Sequence, residues 1–274
     1  MNALAQKIDS FIQKQAKIYL RPGEQPPKGV QVMRGKRGGM FYVATGKTGA
    51  VSSSPSPEDA TDVLSDYIRT GHRRPPSSLV KAISEKSGLD ANFVKRKLNA
   101  WSSLEPKYDA DRRALHIAAK KLFGVGTMKS SKHDAKASSI FSESKEEHFK
   151  LLKTIYNETQ QVLKNNNIDK VKLFRGIMVR KGGPLAKGKK KTISPAPLSS
   201  WAKDWETALQ FAAGYYEGVK KGYDGLVLEI DVPASQIFSM PKLGMGDGQE
   251  GEVILLGGEK DVLDVTVMEE EEEW

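Results

Sequence analysis

Apolar residues recur at helical spacing over most of the first 165 residues and then contract into short runs, so the period of the pattern changes near Asn165-Asn166-Asn167. Leu4, Ile8, Phe11, Ile12, Ile18 and Tyr19 share one stripe, which predicts an amphipathic helix over 3–19 that stops before Arg21-Pro22-Gly23. Val30–Met33 and Met40–Val43 flank the basic turn Arg34-Gly35-Lys36-Arg37-Gly38-Gly39 and read as a β-hairpin. Ser54-Pro55-Ser56-Pro57 opens a helix whose apolar side is Ala60, Val63, Leu64, Tyr67 and Ile68. Further helical patterns cover 77–87, 90–101 and 109–122. Residues 124–139, rich in Gly, Lys and Ser, read as an exposed loop. A long helix then starts at a capping box of Ser144 and Glu147 and ends at Asn165.

Beyond Asn167 the pattern predicts strands over 170–176, 225–232, 251–256 and 261–267, with one helix over 204–219. Helices followed by a strand-rich half argue an α+β fold rather than alternating βαβ units. The expected organisation is a basic helical and hairpin module over 1–105 and a second domain over 106–274, joined through Glu105-Pro106-Lys107. The acidic end, 269–274, reads as a solvated tail.

Composition narrows the partners. Hydrophobic content of 38% in 274 residues can build a core, no apolar run is long enough to span a bilayer, and charge interrupts Leu4–Asp9 where a secretory signal would be apolar. The expectation is a soluble protein without a membrane partner. Zero cysteines exclude disulfides and thiolate sites and suit a reducing cytoplasm, and four scattered histidines give no metal-ligand spacing. Net charge is +9, of which +8 lies in residues 1–110. That asymmetry points to an acidic or nucleic-acid partner met through residues 21–45, where Phe41 and Tyr42 adjoin three cations, although a solvated hairpin tip accounts for it equally well. Gly46-Lys47-Thr48 is not a phosphate loop, because Phe41 stands where the motif needs glycine.

Three short motifs follow in order: Phe174-Arg175-Gly176, Leu198-Ser199-Ser200-Trp201 and Gln249-Glu250-Gly251-Glu252. Glu250 and Glu252 are two apart, so on an extended strand both leave one face. Taken alone, the pair is more plainly read as two solvated glutamates on an edge strand. Arg175 ends the run Val171–Phe174, with Gly176 beside it to admit close backbone approach. Gly244–Gln249 carries three glycines and reads as a flexible loop. Arg180–Lys191, with six cations in twelve residues, reads either as a solubilising insertion or as an attractor of anions.

This order of Arg, Ser and Glu-x-Glu resembles the Arg-Ser-Glu clade of mono-ADP-ribosyltransferases, and the paired glutamates resemble its arginine-modifying branch. The resemblance spans about residues 110–274 and implies a catalytic domain of helices packed on a split, mostly antiparallel β-core. It implies NAD as substrate without metal, release of nicotinamide, and an acceptor protein with an exposed arginine. A nucleic-acid acceptor, water, or a non-enzymatic nucleic-acid-binding protein are the alternatives.

By the same resemblance, Glu252 stabilises the cationic ribose and Glu250 handles the acceptor guanidinium together with Gln249. Arg175 and Gly176 meet the NAD diphosphate. Ala208-Leu209-Gln210-Phe211 matches the Ala-x-x-Phe anchor, which aligns Ser200-Trp201-Ala202 with the family's Ser-Thr-Ser triplet. Ser200 then orients Glu252, while Trp201 and Phe211 line the NAD site. Trp201 and Ala202 depart from the triplet, and Ser199 competes for the serine role. Asp204 reads as the cap of the helix that carries Phe211. The whole pattern fits an enzyme of a phage or mobile element acting in the host cytoplasm better than an exported toxin.

Overall fold

The change of period near residue 167 marks a change from helices to strands in the structure, a computed structural model. It describes residues 17–19, 32–34, 40–43, 54–69, 71, 74–103, 105–125, 130–181, 190–193, 195–214, 221–257 and 263–268. Two compact units divide between Ser52 and Ser53.

The first unit contains β1 (Lys17–Tyr19), β2 (Val32–Arg34) and β3 (Met40–Val43), an antiparallel sheet of order β1-β3-β2. The β2–β3 hairpin follows the sequence expectation, with Met33 opposite Phe41. The helix expected over 3–19 does not include 17–19, because those residues pair with β3 instead of with a preceding helical turn. Residues 1–16 and the basic turn 35–39 lie outside the described residues.

The second unit opens with α1 (Pro57–Val63), α2 (Ser65–Ile68), α3 (Ser77–Ser87), α4 (Ala91–Ser102), α5 (Asp109–Phe123), α6 (Asp134–Glu143) and α7 (Lys145–Asn165). It continues as β4 (Lys170–Arg180), β5 (Lys190–Ile193), β6 (Ser199–Ala202), α8 (Trp205–Ala212), β7 (Tyr223–Pro233), β8 (Ile237–Ser239), β9 (Glu252–Leu255) and β10 (Leu263–Met268). The architecture is α+β, as expected. All strand pairings are antiparallel, in the order β5-β10-β7-β4-β6-β9-β8. β4 pairs with β7 along its whole length, but it meets β6 only through Phe174 and Ala202. The sheet is therefore two half-sheets joined at one residue pair.

Helical stripes bury against both halves. Val94, Leu98, Leu115, Leu152 and Ile155 share a core with Phe238 and Ile254 from β8 and β9. Leu64 and Ile68 share another with Leu173, Trp201 and Leu228. The boundary expected near residue 105 thus falls inside one packed unit: helices at 57–102 share their apolar cores with the sheet and α5–α7. Inside this helical wall, Lys97 is 2% exposed and bonds Asp111 at 2.7 Å, tying α4 to α5.

Two local expectations fail for identifiable reasons. Residues 134–139, expected as the end of a loop over 124–139, belong to a helix that runs to Glu143 because Ala137 and Phe141, four apart, bury one face, while Asp134 accepts from Ser131 N–H at 2.8 Å. Lys136, Ser138 and Ser139 around Ala137 hid that stripe. α7 starts where expected, but Ser144 makes no capping bond; its hydroxyl donates to Ile140 O at 3.0 Å, back toward the preceding helix.

Candidate active site

The site grows from the gap between the half-sheets. On β4, Val171 and Leu173 alternate inward with Ile177 and Val179, and Arg175 occupies the middle of that apolar stripe. It lies mid-strand, opposite Leu228, and not at a strand end as expected. The strand continues because Ile177 and Val179 extend the buried face past the glycine. Carrying the Phe174–Ala202 register onward would set Arg175 across from Trp201 and Gly176 across from Ser200, and there β4 and β6 part. The Arg175 guanidinium lies 5.9 Å from the centre of the Trp201 ring, a distance at which cation–π attraction is felt. Burial pushes its pKa down and the nearby Glu252 carboxylate pushes it back up, so the two side chains attract.

The pleat of β6 separates the two serines. Ser199 and Trp201 share one face, and the indole Nε1 donates to Ser199 Oγ at 3.1 Å. Ser200 leaves the other face, and its side chain is hydrogen-bonded to Glu252. Trp201 is 2% exposed and serves as a floor beneath Arg175.

Glu252 opens β9 opposite Ala202. Its Oε2 accepts from Asp247 N–H at 2.6 Å. Burial raises the Glu252 pKa; the bonds from Ser200 and from Asp247 N–H pull it down, and the charges of Glu250 and Asp247 add to the rise. Glu250 does not share an extended strand with it. Gly251, at φ 61°, reverses the chain within the turn before β9, and Glu252 N–H closes that turn on Asp247 O at 3.1 Å. The two carboxylates still line the same cavity, because the turn folds Glu250 back over the strand end.

The glycine-rich stretch before them is tied down where a flexible loop was expected. Met245 is buried and its N–H bonds Ser239 Oγ at 2.7 Å, Asp247 Oδ1 accepts from Gln249 N–H at 2.7 Å, and Gly248 O accepts from Gly71 N–H at 3.3 Å. Gly176 admits close approach of the α8 backbone, since a Cβ there would sit 1.9 Å from Ala208 O. Asp204 caps α8 as expected, accepting from Thr207 N–H at 2.9 Å.

A cavity of about 650 Å³ opens beside Arg175, Ser200, Glu250, Glu252 and Phe211, within the range of small-molecule sites. A branch of about 220 Å³ reaches Gly176 and Trp201, and a neighbouring cavity of about 410 Å³ holds Gln249. Glu250 and Phe211 line all three.

The opposite wall of the 650 Å³ cavity was missed. Trp101, Tyr108, Arg112 and His116 come from α4, α5 and the turn between them. Tyr108, Arg112 and His116 are spaced by four, a helical stripe legible in the sequence but not read there as part of the site. His116 packs against Trp101 at 5.5 Å, and burial pushes its pKa down to about 4, so the ring is neutral at pH 7. Among the described residues no group of three or more His, Asp or Glu side chains is arranged to hold a metal, and no helix is long and apolar enough to cross a membrane.

Chemically, the arrangement offers a cation for an anionic ligand, a carboxylate oriented by a hydroxyl and a backbone N–H, and a second carboxylate on the adjoining turn. Comparison with protein-family models, curated proteins and solved structures gave no match.

Proposed function

We propose that the protein is a mono-ADP-ribosyltransferase that moves ADP-ribose from NAD to an arginine side chain. The observation that carries this reading is the meeting of Arg175, Ser200 and Glu252 at a break in the sheet, beside a cavity large enough for NAD. Nothing in composition required those three residues to converge.

In this reading Arg175 holds the NAD diphosphate through paired, charge-assisted bonds. As the bond from ribose C1′ to nicotinamide breaks, positive charge spreads over the ribose, as in glycoside hydrolysis. Glu252, ionised, stabilises that charge more than it stabilises the ground state. Ser200 and Asp247 N–H fix the carboxylate beforehand, so little reorganisation is needed. An acceptor guanidino nitrogen then attacks C1′, and its proton passes to Glu250. Nicotinamide leaves with the electron pair of the broken bond. Residues 1–52 hold nine Lys and Arg against two Asp and Glu, and we assign them to recruiting an acidic or nucleic-acid-bound target.

The test is incubation of the full chain with NAD and either agmatine, a protein mixture or RNA. Nicotinamide release with label on guanidino groups is expected. No release with any acceptor would sink the enzyme reading in favour of a basic nucleic-acid-binding protein, and label confined to RNA would change the acceptor.

A further inference from the structure

We propose that Arg69 is an intramolecular acceptor, so that the protein ADP-ribosylates itself at this residue; the inference rests on the transferase reading above. Arg69 follows α2 in extended conformation, is exposed, and lines the 410 Å³ cavity together with Gln249 and Glu250. This cavity adjoins the Glu252 cavity, since Glu250 and Phe211 line both.

Three contacts hold the Arg69 segment at that turn. Gly71 N–H donates to Gly248 O at 3.3 Å, immediately before Gln249 and Glu250. Ile68 packs within 3.8 Å of the position a Cβ would take on Gly251. Lys203 Nζ donates to Ser65 Oγ at 2.9 Å, which binds α2 to the strand end beside Asp204. The Arg69 segment is thereby tethered beside the turn that carries Glu250, and Lys203, Asp204 and Glu206 line the same cavity. A tethered acceptor reacts without the entropy loss of bimolecular encounter, an advantage that is large for well-oriented groups.

The step balances. The C1′–nicotinamide bond breaks with its electrons leaving on nicotinamide, a guanidino nitrogen of Arg69 supplies the pair for the new C1′–N bond, and the proton lost from that nitrogen passes through Glu250 to water. Nicotinamide and ADP-ribosyl-Arg69 are the products.

The test incubates the full chain with NAD alone, maps the modified peptide by mass spectrometry, and follows nicotinamide in the same tube. ADP-ribose on Arg69, at a rate per chain that does not change on dilution and with the label lost in Arg69→Lys, supports the inference. Nicotinamide release with Arg69 unmodified, or labelling that slows in proportion to dilution, overturns self-modification and leaves the transferase reading standing. No nicotinamide release with any acceptor overturns both.

Discussion

Gly176→Ala measures how closely α8 is seated on the sheet and how far the site depends on that seating. The added Cβ would lie 1.9 Å from Ala208 O and 2.5 Å from Ala212 N, both backbone atoms that no rotamer change can clear. Ordinary contact needs roughly 3.5 Å, so the helix must retreat by about 1.5 Å. Overpacking of this kind costs about 1–3 kcal/mol, and two backbone obstacles place the expectation in the upper half of that range. At ~2–4 °C per kcal/mol for a unit of this size, Tm should fall by roughly 5–10 °C. The same retreat carries Phe211 away from all three cavities, and a misplacement of ~1 Å can cost on the order of 10²-fold in rate. Thermal denaturation followed by circular dichroism reads the first quantity, and nicotinamide release the second. Gly225→Ala, whose Cβ would lie 2.3 Å from Ala212 O, should lower Tm as well. A Gly176→Ala protein that melts and turns over like the wild type would refute the close seating of α8 on β4.

Glu252→Gln should lower NAD hydrolysis and transfer by about 10²-fold or more, since the amide keeps the volume and loses the charge. Because burial raises the Glu252 pKa, the native state keeps a proton that the unfolded chain has released, and stability from this group is lost as pH rises from the ordinary carboxylate range through the raised value. The Gln variant should therefore melt higher than wild type above that window and like it below; equal melting at every pH would mean that Glu252 is not strained by burial. Ser200→Ala removes a bond that favours the ionised carboxylate and should move the acid limb of kcat to higher pH, whereas Glu250→Gln removes a like charge and should move it lower. Shifts in the same direction would contradict this electrostatic arrangement. Glu250→Gln should also abolish transfer to agmatine while sparing slow NAD hydrolysis, and equal loss of both would deny it a separate acceptor role. Deleting residues 1–52 should leave NAD hydrolysis intact and slow labelling of a macromolecular acceptor, with raised salt reproducing that loss in the full chain, because exposed charges are screened over ~10 Å at 0.1 M. Full-rate labelling by the shortened chain would remove the recruiting role.

Elements whose own residues supply the burying face were legible in the sequence. The helical stripes at 77–87, 91–102, 109–123 and 145–165 and the runs around Leu173 and Leu228 appear close to where periodicity puts them, because a 3.6- or 2-residue repeat of apolar groups is a local property. The order of Arg175, Ser200 and Glu252 was equally plain. Their relation in space was not. Whether Ser199 or Ser200 turns toward Glu252 depends on which face of β6 the Trp201 core claims, and that is fixed by Leu64, Leu173 and Leu228 far away in the chain. Glu250 reaches the cavity through a turn set by Gly251 and Asp247, not through strand alternation. Gly176 reads as a permissive residue in sequence, but only the approach of α8 shows what it permits. The wall formed by Tyr108, Arg112 and His116 stayed hidden for the same reason. Local pattern decides which face of an element is apolar, while the partner covering that face, and therefore the charged groups brought to its edge, is chosen by the packing of segments distant in sequence.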